Sequence, residues 1–332
     1  MHAEGRAARA LLERAREQVA GFVGCAPAEL VFTASGSEAN ALALRCQGRV
    51  LVSALEHPSV ALAARLGTHE TFGSDPTGVA NLAELEPLLR TPTEVVALQL
   101  VNHETGVIQP VAEAAALARG VGARLHCDAV QAAGKLDLSD LLLRVETLSL
   151  SAHKLGGLPG AGALVVRRGV ELTPVVAGHQ ERGRRGGTPG LVALVAFGAA
   201  AAVAAAERER RLALLATRTK ELTEILRRAD PSLRLHGEGA PRCPGIVCVT
   251  FPGADGELLL VALDLAGVAC SHGAACASGA LEPSKVLLSM GLPESEAAAA
   301  IRFSCGAGTT SEELALLASV LPGARAAARA PG

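Results

Sequence analysis

Lys154 stands where an apolar segment ends and a glycine-rich run begins, a position in which a lysine can do chemistry. The segment 147–151 precedes it and the glycine-rich run 156–162 follows it. A strand that ends here would present the primary amine at the edge of a sheet, where an amine can condense with a carbonyl compound to form an imine. A solvated loop lysine is the alternative that this segment alone leaves open.

A second segment offers groups that suit a phosphate. After the predicted strand 30–33, Ser35 and Glu38 have the spacing of a capping box that starts a helix. Gly36 and Ser37, at the same helix start, would present backbone N–H groups and a hydroxyl to an anion. An ordinary helix cap without a ligand is the alternative.

Two further strand ends carry polar side chains. His57 follows an apolar segment directly before Pro58, and an imidazole there can stack on a flat aromatic ligand; a surface histidine is the alternative. Asp128 ends the segment 124–128, and a carboxylate buried at a strand end needs a cation to offset its desolvation. A protonated pyridine nitrogen is such a cation, and a helix-capping aspartate is the alternative.

Together these side chains match what pyridoxal 5'-phosphate requires of a protein. The amine forms the Schiff base, the carboxylate keeps the ring nitrogen protonated so that the ring withdraws electrons, and hydroxyls and amides hold the phosphate. The predicted cofactor residues are Gly36, Ser37, His57, Asp128, Gln131, Ser151, His153 and Lys154.

Two residues of the C-terminal third are candidates for handling a substrate. Cys276 lies in a run of small residues, 271–280, which predicts an exposed loop, and its thiol needs a lowered pKa to attack at neutral pH. Arg302 is a charge within the apolar segment 300–304, so it needs a partner. That partner is either a substrate carboxylate held bidentately or a buried structural ion pair.

The apolar pattern predicts the elements that position these residues. From 29 to 168, short β-branched runs alternate with alanine-rich stretches, which is typical of a sheet with crossover helices and ligands beyond the carboxyl ends of its strands. The predicted strands are 30–33, 49–54, 95–101, 124–128, 147–151 and 163–167. The predicted helices are 38–45, 59–66, 82–89 and 111–119.

A different pattern follows and predicts a second domain. A long helix with breaks is predicted over 191–228, and beyond it a smaller α+β region. Its predicted elements are strands at 233–236, 245–251 and 300–304, a helix at 257–265, and a last helix capped by Thr310 with Glu313. The sequence thus predicts an α/β fold with a mainly parallel sheet in a large domain, 1–207, and a small α+β domain, 208–332.

The composition argues against several classes of function. The chain has 332 residues and 49% hydrophobic content, enough for a large core. A net charge of −2 gives no electrostatic basis for binding nucleic acid or an anionic membrane. No apolar run reaches ~18 residues, and the first residues lack the core of a signal peptide, which predicts a cytoplasmic protein. The eight cysteines show no zinc-binding spacing, so no metal is expected.

The order of these motifs resembles the cysteine desulfurases of the class V aminotransferase group, which are fold type I pyridoxal-phosphate enzymes. The similarity covers nearly the whole chain, through the motifs at 35–40, 56–57, 102–106, 126–131, 151–154, 185–188, 273–276, 281–284 and 301–304. The long loop around Cys276 is similar to that of the branch that serves iron–sulfur assembly and nitrogen fixation.

The resemblance implies desulfuration of L-cysteine to L-alanine, with a persulfide left on Cys276 for a sulfur-acceptor or iron–sulfur scaffold protein. It implies Lys154, Cys276 and His57 as catalytic residues, with Lys154 moving the Cα proton. Asp128 would help the ring to take up negative charge, and Arg302 would hold the substrate carboxylate.

The resemblance also implies further contacts and a homodimer. Asn102 would contact the substrate, and His103 would lie near the cofactor, where the family usually has a second asparagine. Thr188 would reach the phosphate of the neighbouring subunit, which makes the basic run 182–187 part of a subunit interface. Ser37 replaces a usual threonine and keeps its hydroxyl.

Two other readings are open at this point. One is another fold type I enzyme, a selenocysteine lyase or an aminotransferase, and an aminotransferase would not need Cys276. The other is a sulfur-relay or scaffold protein of low activity, because the chain begins at what resembles the second or third helix of the family and the segment before it is expected to be missing.

Overall fold

Six of the seven strands in the main sheet run in the same direction. The computed structural model describes residues 2–272 and 282–329. The chain order of the sheet is β1-β7-β6-β5-β4-β2-β3. Only β7 is antiparallel to its neighbours β1 and β6, while the other pairs are parallel. The strands are β1 Leu30–Thr33, β2 Val50–Ser53, β3 His69–Phe72, β4 Val95–Ala97, β5 Arg124–Asp128, β6 Thr147–Ser151 and β7 Gly162–Val166.

Helices of the same unit join these strands. They are α1 Ala3–Val23, α2 Gly36–Leu44, α3 Pro58–Ala64, α4 Leu82–Leu88, α5 Val111–Gly120, α6 Ser139–Leu142 and α7 Leu191–Ala206. The inner strands β2, β4, β6 and β7 are buried along their whole length, and β5 is buried except at Arg124, as expected for a parallel sheet covered on both faces. The predicted α/β class with a mainly parallel sheet is therefore confirmed.

The second sheet is antiparallel and has the order β10-β11-β9-β8. Its strands are β8 Arg234–Leu235, β9 Ile246–Thr250, β10 Ser271–His272 and β11 Ala300–Ser304, and its helices are α8 Arg208–Ala229, α9 Gly256–Leu265, α10 Lys285–Ser289, α11 Glu294–Ala298 and α12 Ser311–Ala327. Phe251 and Phe303 lie in its core together with Leu222 and Leu226 of α8 and Leu321 of α12. The predicted capping box at Thr310 and Glu313 is present.

The chain divides into two units by its internal contacts. The first comprises Met1–Phe72, Asn81–Val101 and Gln109–Arg208, and the second comprises Gly73–Ala80, Asn102–Ile108 and Glu209–Gly332. The segments 73–80 and 102–108 thus group with the C-terminal region. The boundary predicted between 207 and 208 stays a prediction.

Some predicted elements differ from the structure. The strand predicted over 95–101 ends at Ala97, because β2 ends at Ser53 and no longer pairs with the chain on that side. On the other side, the backbone of Leu98 and Leu100 still bonds to β5. The edge strand β3 and the helix α1 were not predicted. The long helix predicted over 191–228 is two helices, α7 and α8, with a break at Glu207.

Among the described residues, no single helix is long and apolar enough to cross a bilayer. The helices α7 and α8 reach the required length and hydropathy only when they are counted together across the break between them.

Parallel strands bring their carboxyl ends to one edge of a sheet, and this edge collects the chemistry-bearing residues of the first unit. Strand β1 is parallel to β6, because both are antiparallel to β7. The residues that follow β1, β2, β5 and β6 therefore share one edge.

Candidate active site

The lysine that the sequence singled out lies in a short turn at this edge. Strand β6 ends at Ser151, and a single 3-10 turn, Ala152–Leu155, follows and closes at Gly156 with φ 89°. The side chains of Ala152 and Leu155 are buried and anchor the turn, while Lys154 is exposed. The amine is thus held on a fixed backbone and faces outwards.

Ser151 and His153 form a pair beside this lysine. The Oγ of Ser151 lies 2.9 Å from Nδ1 of His153. Burial, and then the positive charge of Lys154, lower the pKa of His153. A neutral imidazole and a hydroxyl therefore stand next to the amine at neutral pH.

Asp128 is a buried carboxylate that no cation pairs within the described residues. Its Oδ1 accepts a hydrogen bond from the backbone N–H of Val130 at 2.9 Å, and its Oδ2 accepts one from Nδ2 of Asn40 at 2.8 Å. Only 7% of the residue is exposed. It caps a turn instead of a helix, so the helix-cap alternative is wrong. A charge buried with neutral donors alone is costly unless a ligand supplies the cation.

His57 is half-buried and is the N-cap of α3. Its Nδ1 accepts a hydrogen bond from the backbone N–H of Ser59 at 3.1 Å, and the Oγ of Ser59 lies 2.8 Å from the same nitrogen. Both contacts fix the plane of the ring at the carboxyl end of β2.

The start of α2 packs closely against the strand ends. A Cβ on Gly36 would lie 2.9 Å from Cγ2 of Val130 and 3.3 Å from Cβ of Ser151, so only glycine fits here. The backbone N–H groups of Gly36 and Ser37 have no partner among the described residues. They are available to an anion, as at other helix N-termini.

The predicted capping box at this helix is only half correct. Ser35 Oγ accepts from the backbone N–H of Glu38 at 3.1 Å, but the Glu38 carboxylate accepts from the N–H of Ala34 and from Arg185. Burial acts to raise the pKa of Glu38, and its bonds to Arg185 and Ala34 outweigh this, so that the pKa is lowered. The stronger guanidinium partner therefore determines where this carboxylate points.

Two other predicted residues of this unit make fewer contacts. Gln131 follows β5 by three residues, and its side chain is half-buried without a hydrogen bond to the described residues. Thr188 is exposed and lines a pocket of about 170 Å³ that also includes Phe32, Ala34 and Arg185.

Asn102 and His103 lie in the second unit. Asn102 is fully buried, and its Oδ1 accepts hydrogen bonds from the backbone N–H groups of Glu104 and Thr105 at 2.9 and 2.8 Å. This oxygen thus shapes the turn that contains the predicted motif. Nε2 of His103 lies 3.5 Å from Oε1 of Glu104.

Arg302 of β11 also belongs to the second unit and is half-buried. Its guanidinium donates to the carbonyl oxygen of His103 at 2.9 Å and to Oγ of Ser271 at 3.3 Å. Within the described residues its Nε has no hydrogen-bond partner and no carboxylate pairs with it. The structural ion pair that was the alternative is therefore not found in this part of the chain, and an incoming carboxylate remains the partner of suitable charge.

Cys276 lies outside the described residues, together with the rest of 273–281. Its assignment as a nucleophile stays a prediction.

The sequence missed a set of buried polar residues behind Asp128. Asn40 bonds to Asp128 and to Nε2 of His126, and Glu56 is buried nearby. Burial, and then the charge of Asp128, raise the pKa of Glu56 well above its ordinary value. The available signal was a polar residue inside an apolar element, namely His126 within β5 and Asn40 within α2.

The residues present fit pyridoxal phosphate. The buried carboxylate of Asp128 suits a protonated ring nitrogen, since no cation of the described residues pairs with it. The backbone N–H groups of Gly36 and Ser37, which have no partner within the same residues, suit a phosphate. Lys154 supplies the amine at the same edge. The described residues thus provide the donor set that the sequence predicted for the first unit.

Comparisons with known proteins agree with this chemistry. The description "Aminotransferase class-V" applies to the family model that matches residues 1–317. The chain belongs to this family. It is 36% identical over 333 residues to a cysteine desulfurase of Klebsiella pneumoniae, an alignment that covers 97% of this chain and 84% of that protein.

Solved structures show the same relationship. The structure of a NifS-like protein from Rickettsia africae superposes with a TM-score of 0.87 and 26% identity, covering 98% of this chain and 90% of that one. A structure titled "SspA in complex with cysteine" superposes with a TM-score of 0.80 and 29% identity over 93% of this chain and 90% of that one. The predicted resemblance to the cysteine desulfurases and the fold type are confirmed.

The stability of the folded protein at acidic pH is expected to depend on His126. Burial lowers its pKa to about 3 from 6.5. Between these values the unfolded chain binds a proton that the folded chain does not, so stability falls as the pH falls from 6.5 towards 3. When the pH falls from 6.5 to 5, this histidine should lower the free energy of unfolding by about 2 kcal/mol.

Urea unfolding of His126→Gln at pH 6.5 and pH 5 measures this cost. The variant should lose about 2 kcal/mol less than the wild type over this interval. The exposed residue His179, changed to Gln, is the control and should behave as the wild type does. An equal loss in His126→Gln and the wild type would contradict the expectation.

Proposed function

We propose that the protein is a pyridoxal-phosphate-dependent cysteine desulfurase that converts L-cysteine to L-alanine. The observation that carries this proposal is the buried carboxylate of Asp128, which pairs with no cation among the described residues, at the strand edge that also presents Lys154. Membership of the class V family supports it, as does the naming of the relatives.

The cofactor, when bound, supplies an electron-withdrawing ring that stabilises negative charge at the substrate Cα. Lys154 would carry the attachment amine and then move the Cα proton. Asp128 would hold the ring nitrogen protonated, and His57, fixed by Ser59, would stack on the ring. The N–H groups of Gly36 with Ser37 would bind the phosphate.

Further roles rest on Ser151, His153, Gln131 and His103. Ser151 and His153 would add donors to the phosphate. Gln131, whose side-chain amide makes no hydrogen bond to the described part of the chain, would bind a ring substituent. His103 would contribute beside the cofactor in place of the usual asparagine.

The substrate is L-cysteine, and its carboxylate would bind to Arg302. The guanidinium is held by the carbonyl oxygen of His103 and lacks a carboxylate partner among the described residues. A planar guanidinium binds carboxylates bidentately. Asn102 would contribute through its amide side chain.

Sulfur would leave as a persulfide on Cys276. The thiolate attacks the substrate sulfur, the bond between that sulfur and the substrate Cβ breaks, and the carbon skeleton takes up a proton to give L-alanine. The product Cys–S–SH then passes its outer sulfur to an acceptor, which we propose to be an iron–sulfur scaffold or another sulfur-acceptor protein in the cytoplasm.

We further propose a homodimer in which Thr188 serves the neighbouring subunit. The helix α7 is apolar on all sides, yet 76% of Val192 and 46% of Val203 are exposed in the single chain. A helix of this composition is normally buried all round.

Sedimentation equilibrium tests the homodimer. The measured mass should be that of two chains, each of 33.6 kDa. The mass of a single chain would contradict this assembly.

The function is tested by the products and by Cys276→Ser. Wild-type protein supplied with the cofactor should absorb visible light and release alanine and, with a reductant, sulfide from L-cysteine. Cys276→Ser should keep the visible band and lose at least about 90% of the sulfide release, because its hydroxyl cannot form a persulfide.

Cys270→Ser is the matched control for this test. Burial, and then the charge of Asp264, raise the pKa of Cys270 to about 11, so its thiol is protonated at neutral pH and the change should leave the sulfide release intact. Full activity of Cys276→Ser would overturn the assigned nucleophile, and transamination without sulfide release would indicate an aminotransferase.

The carboxylate contact is tested by Arg302→Lys. A lysine keeps the charge and loses the planar fork, so the KM for L-cysteine should rise about tenfold or more. Arg234→Lys, an exposed arginine paired with Glu296 in the same unit, is the control and should keep the wild-type KM. An unchanged KM in Arg302→Lys would remove this residue from substrate binding.

A further inference from the structure

One buried amide connects Asp128 with the histidine that is proposed to stack on the cofactor. Asn40 lies inside α2 and is 1% exposed. Its Nδ2 is 2.8 Å from Oδ2 of Asp128 and 2.9 Å from Oγ of Ser59, and its Oδ1 is 3.0 Å from Nε2 of His126. Both N–H groups of the amide and its oxygen are thus engaged in hydrogen bonds, each to a different residue.

The donor and acceptor at each contact follow from chemistry. A carboxylate only accepts, so the atom that faces Asp128 must be the NH₂ group of Asn40. The oxygen of Asn40 therefore faces His126, whose Nε2 must carry a proton to donate. Nδ1 of His126 then accepts from the hydroxyl of Thr147, 3.0 Å away.

The neutral form of His126 agrees with this assignment. Burial lowers its pKa to about 3, so at neutral pH the ring has one proton, which belongs on Nε2. The imidazole adds no charge and fixes which way the amide of Asn40 points.

The other N–H bond of Asn40 leads to His57. The Oγ of Ser59 accepts this bond and lies 2.8 Å from Nδ1 of His57. The backbone N–H of Ser59 already donates to Nδ1, so this nitrogen is an acceptor and the proton of a neutral His57 is on Nε2.

We propose that Asn40 is a positioning residue which, oriented by His126, fixes Asp128 and, through Ser59, His57 in one arrangement before the cofactor binds. The inference rests on the proposed function and adds a residue for which that function gave no role. Because the donor is neutral, it orients the Asp128 carboxylate without cancelling the negative charge that the ring nitrogen requires.

The protein without cofactor allows a test that needs no substitution. Long-range ¹H–¹⁵N correlation spectra distinguish the two tautomers of a histidine. His126 is expected as the Nε2–H tautomer. An Nδ1–H tautomer would mean that Asn40 presents its oxygen to Asp128, and it would overturn the proposal.

A binding ratio tests the effect on Asp128. Apoprotein is titrated with pyridoxal 5'-phosphate and with its 1-deaza analogue, which has carbon in place of the ring nitrogen. The wild type should bind the natural cofactor more tightly than the analogue. In Asn40→Ala the ratio of the two dissociation constants should fall about tenfold, because the carboxylate has lost a charged hydrogen bond that orients it.

Three further variants make the ratio specific. Leu42→Ala, two residues along α2 and equally buried, should lose stability and keep the preference, because Leu42 packs in an apolar cluster with Leu164 and Val166 and has no polar atom in its side chain. Ser59→Ala removes only the hydrogen bond from Asn40 that leads to His57, so this variant should also keep the preference for the natural cofactor. If Asn40→Ala does not fold, Asn40→Leu fills the same space without donors and should show the narrowed ratio.

The outcomes separate this inference from the proposed function. Wild-type protein that binds neither compound would contradict the pyridoxal-phosphate function itself. Wild-type protein that binds both equally would overturn the contact of Asp128 with the ring nitrogen, and with it the positioning role. A wild type that prefers the natural cofactor, together with an Asn40 variant that keeps the full preference, would overturn the positioning role alone.

Discussion

The first unit is organised around the buried carboxylate of Asp128, for which residues 2–272 and 282–329 supply no paired cation. Asp128 is held by the backbone of Val130 and by Asn40, both neutral donors. Burial, and then the charge of Asp128, raise the pKa of the neighbouring acid, Glu56, well above its ordinary value. One unit of negative charge is thus stored in a fixed place, and a pyridinium nitrogen offsets the cost of its burial when the cofactor binds.

The parallel sheet makes this arrangement useful, because it brings distant segments to the same edge. The turn with Lys154 follows β6, Asp128 ends β5, His57 follows β2, and Gly36 opens α2 after β1. The close contact of Gly36 with Ser151 shows how tightly these ends pack. An amine, a carboxylate, an imidazole and free amides are therefore presented together by backbone that cannot easily move. In the second unit, Arg302 is a cation without a carboxylate partner among the described residues.

The amino-acid sequence alone predicts those features of the fold that depend on local pattern. Strands β5 and β6 begin and end where predicted, and each ends at the polar residue that the sequence had singled out, Asp128 and Ser151. Contacts between distant residues could not be predicted in this way. Asn40 meets His126 and Asp128 across 86 and 88 residues, and Glu38 leaves its capping box for Arg185, 147 residues away. A capping motif states which local bonds are available, but a stronger partner supplied by the fold decides which of them form.

The protonation state of the cofactor ring tests the central claim most directly. Apoprotein reconstituted with pyridoxal 5'-phosphate that carries ¹⁵N in the ring would give a nitrogen signal in the pyridinium range at pH 7. The same signal in Asp128→Asn, in which the stored charge is gone, would lie in the range of a neutral pyridine. A wild-type ring nitrogen that is unprotonated at pH 7, or one that stays protonated in Asp128→Asn, would contradict the account.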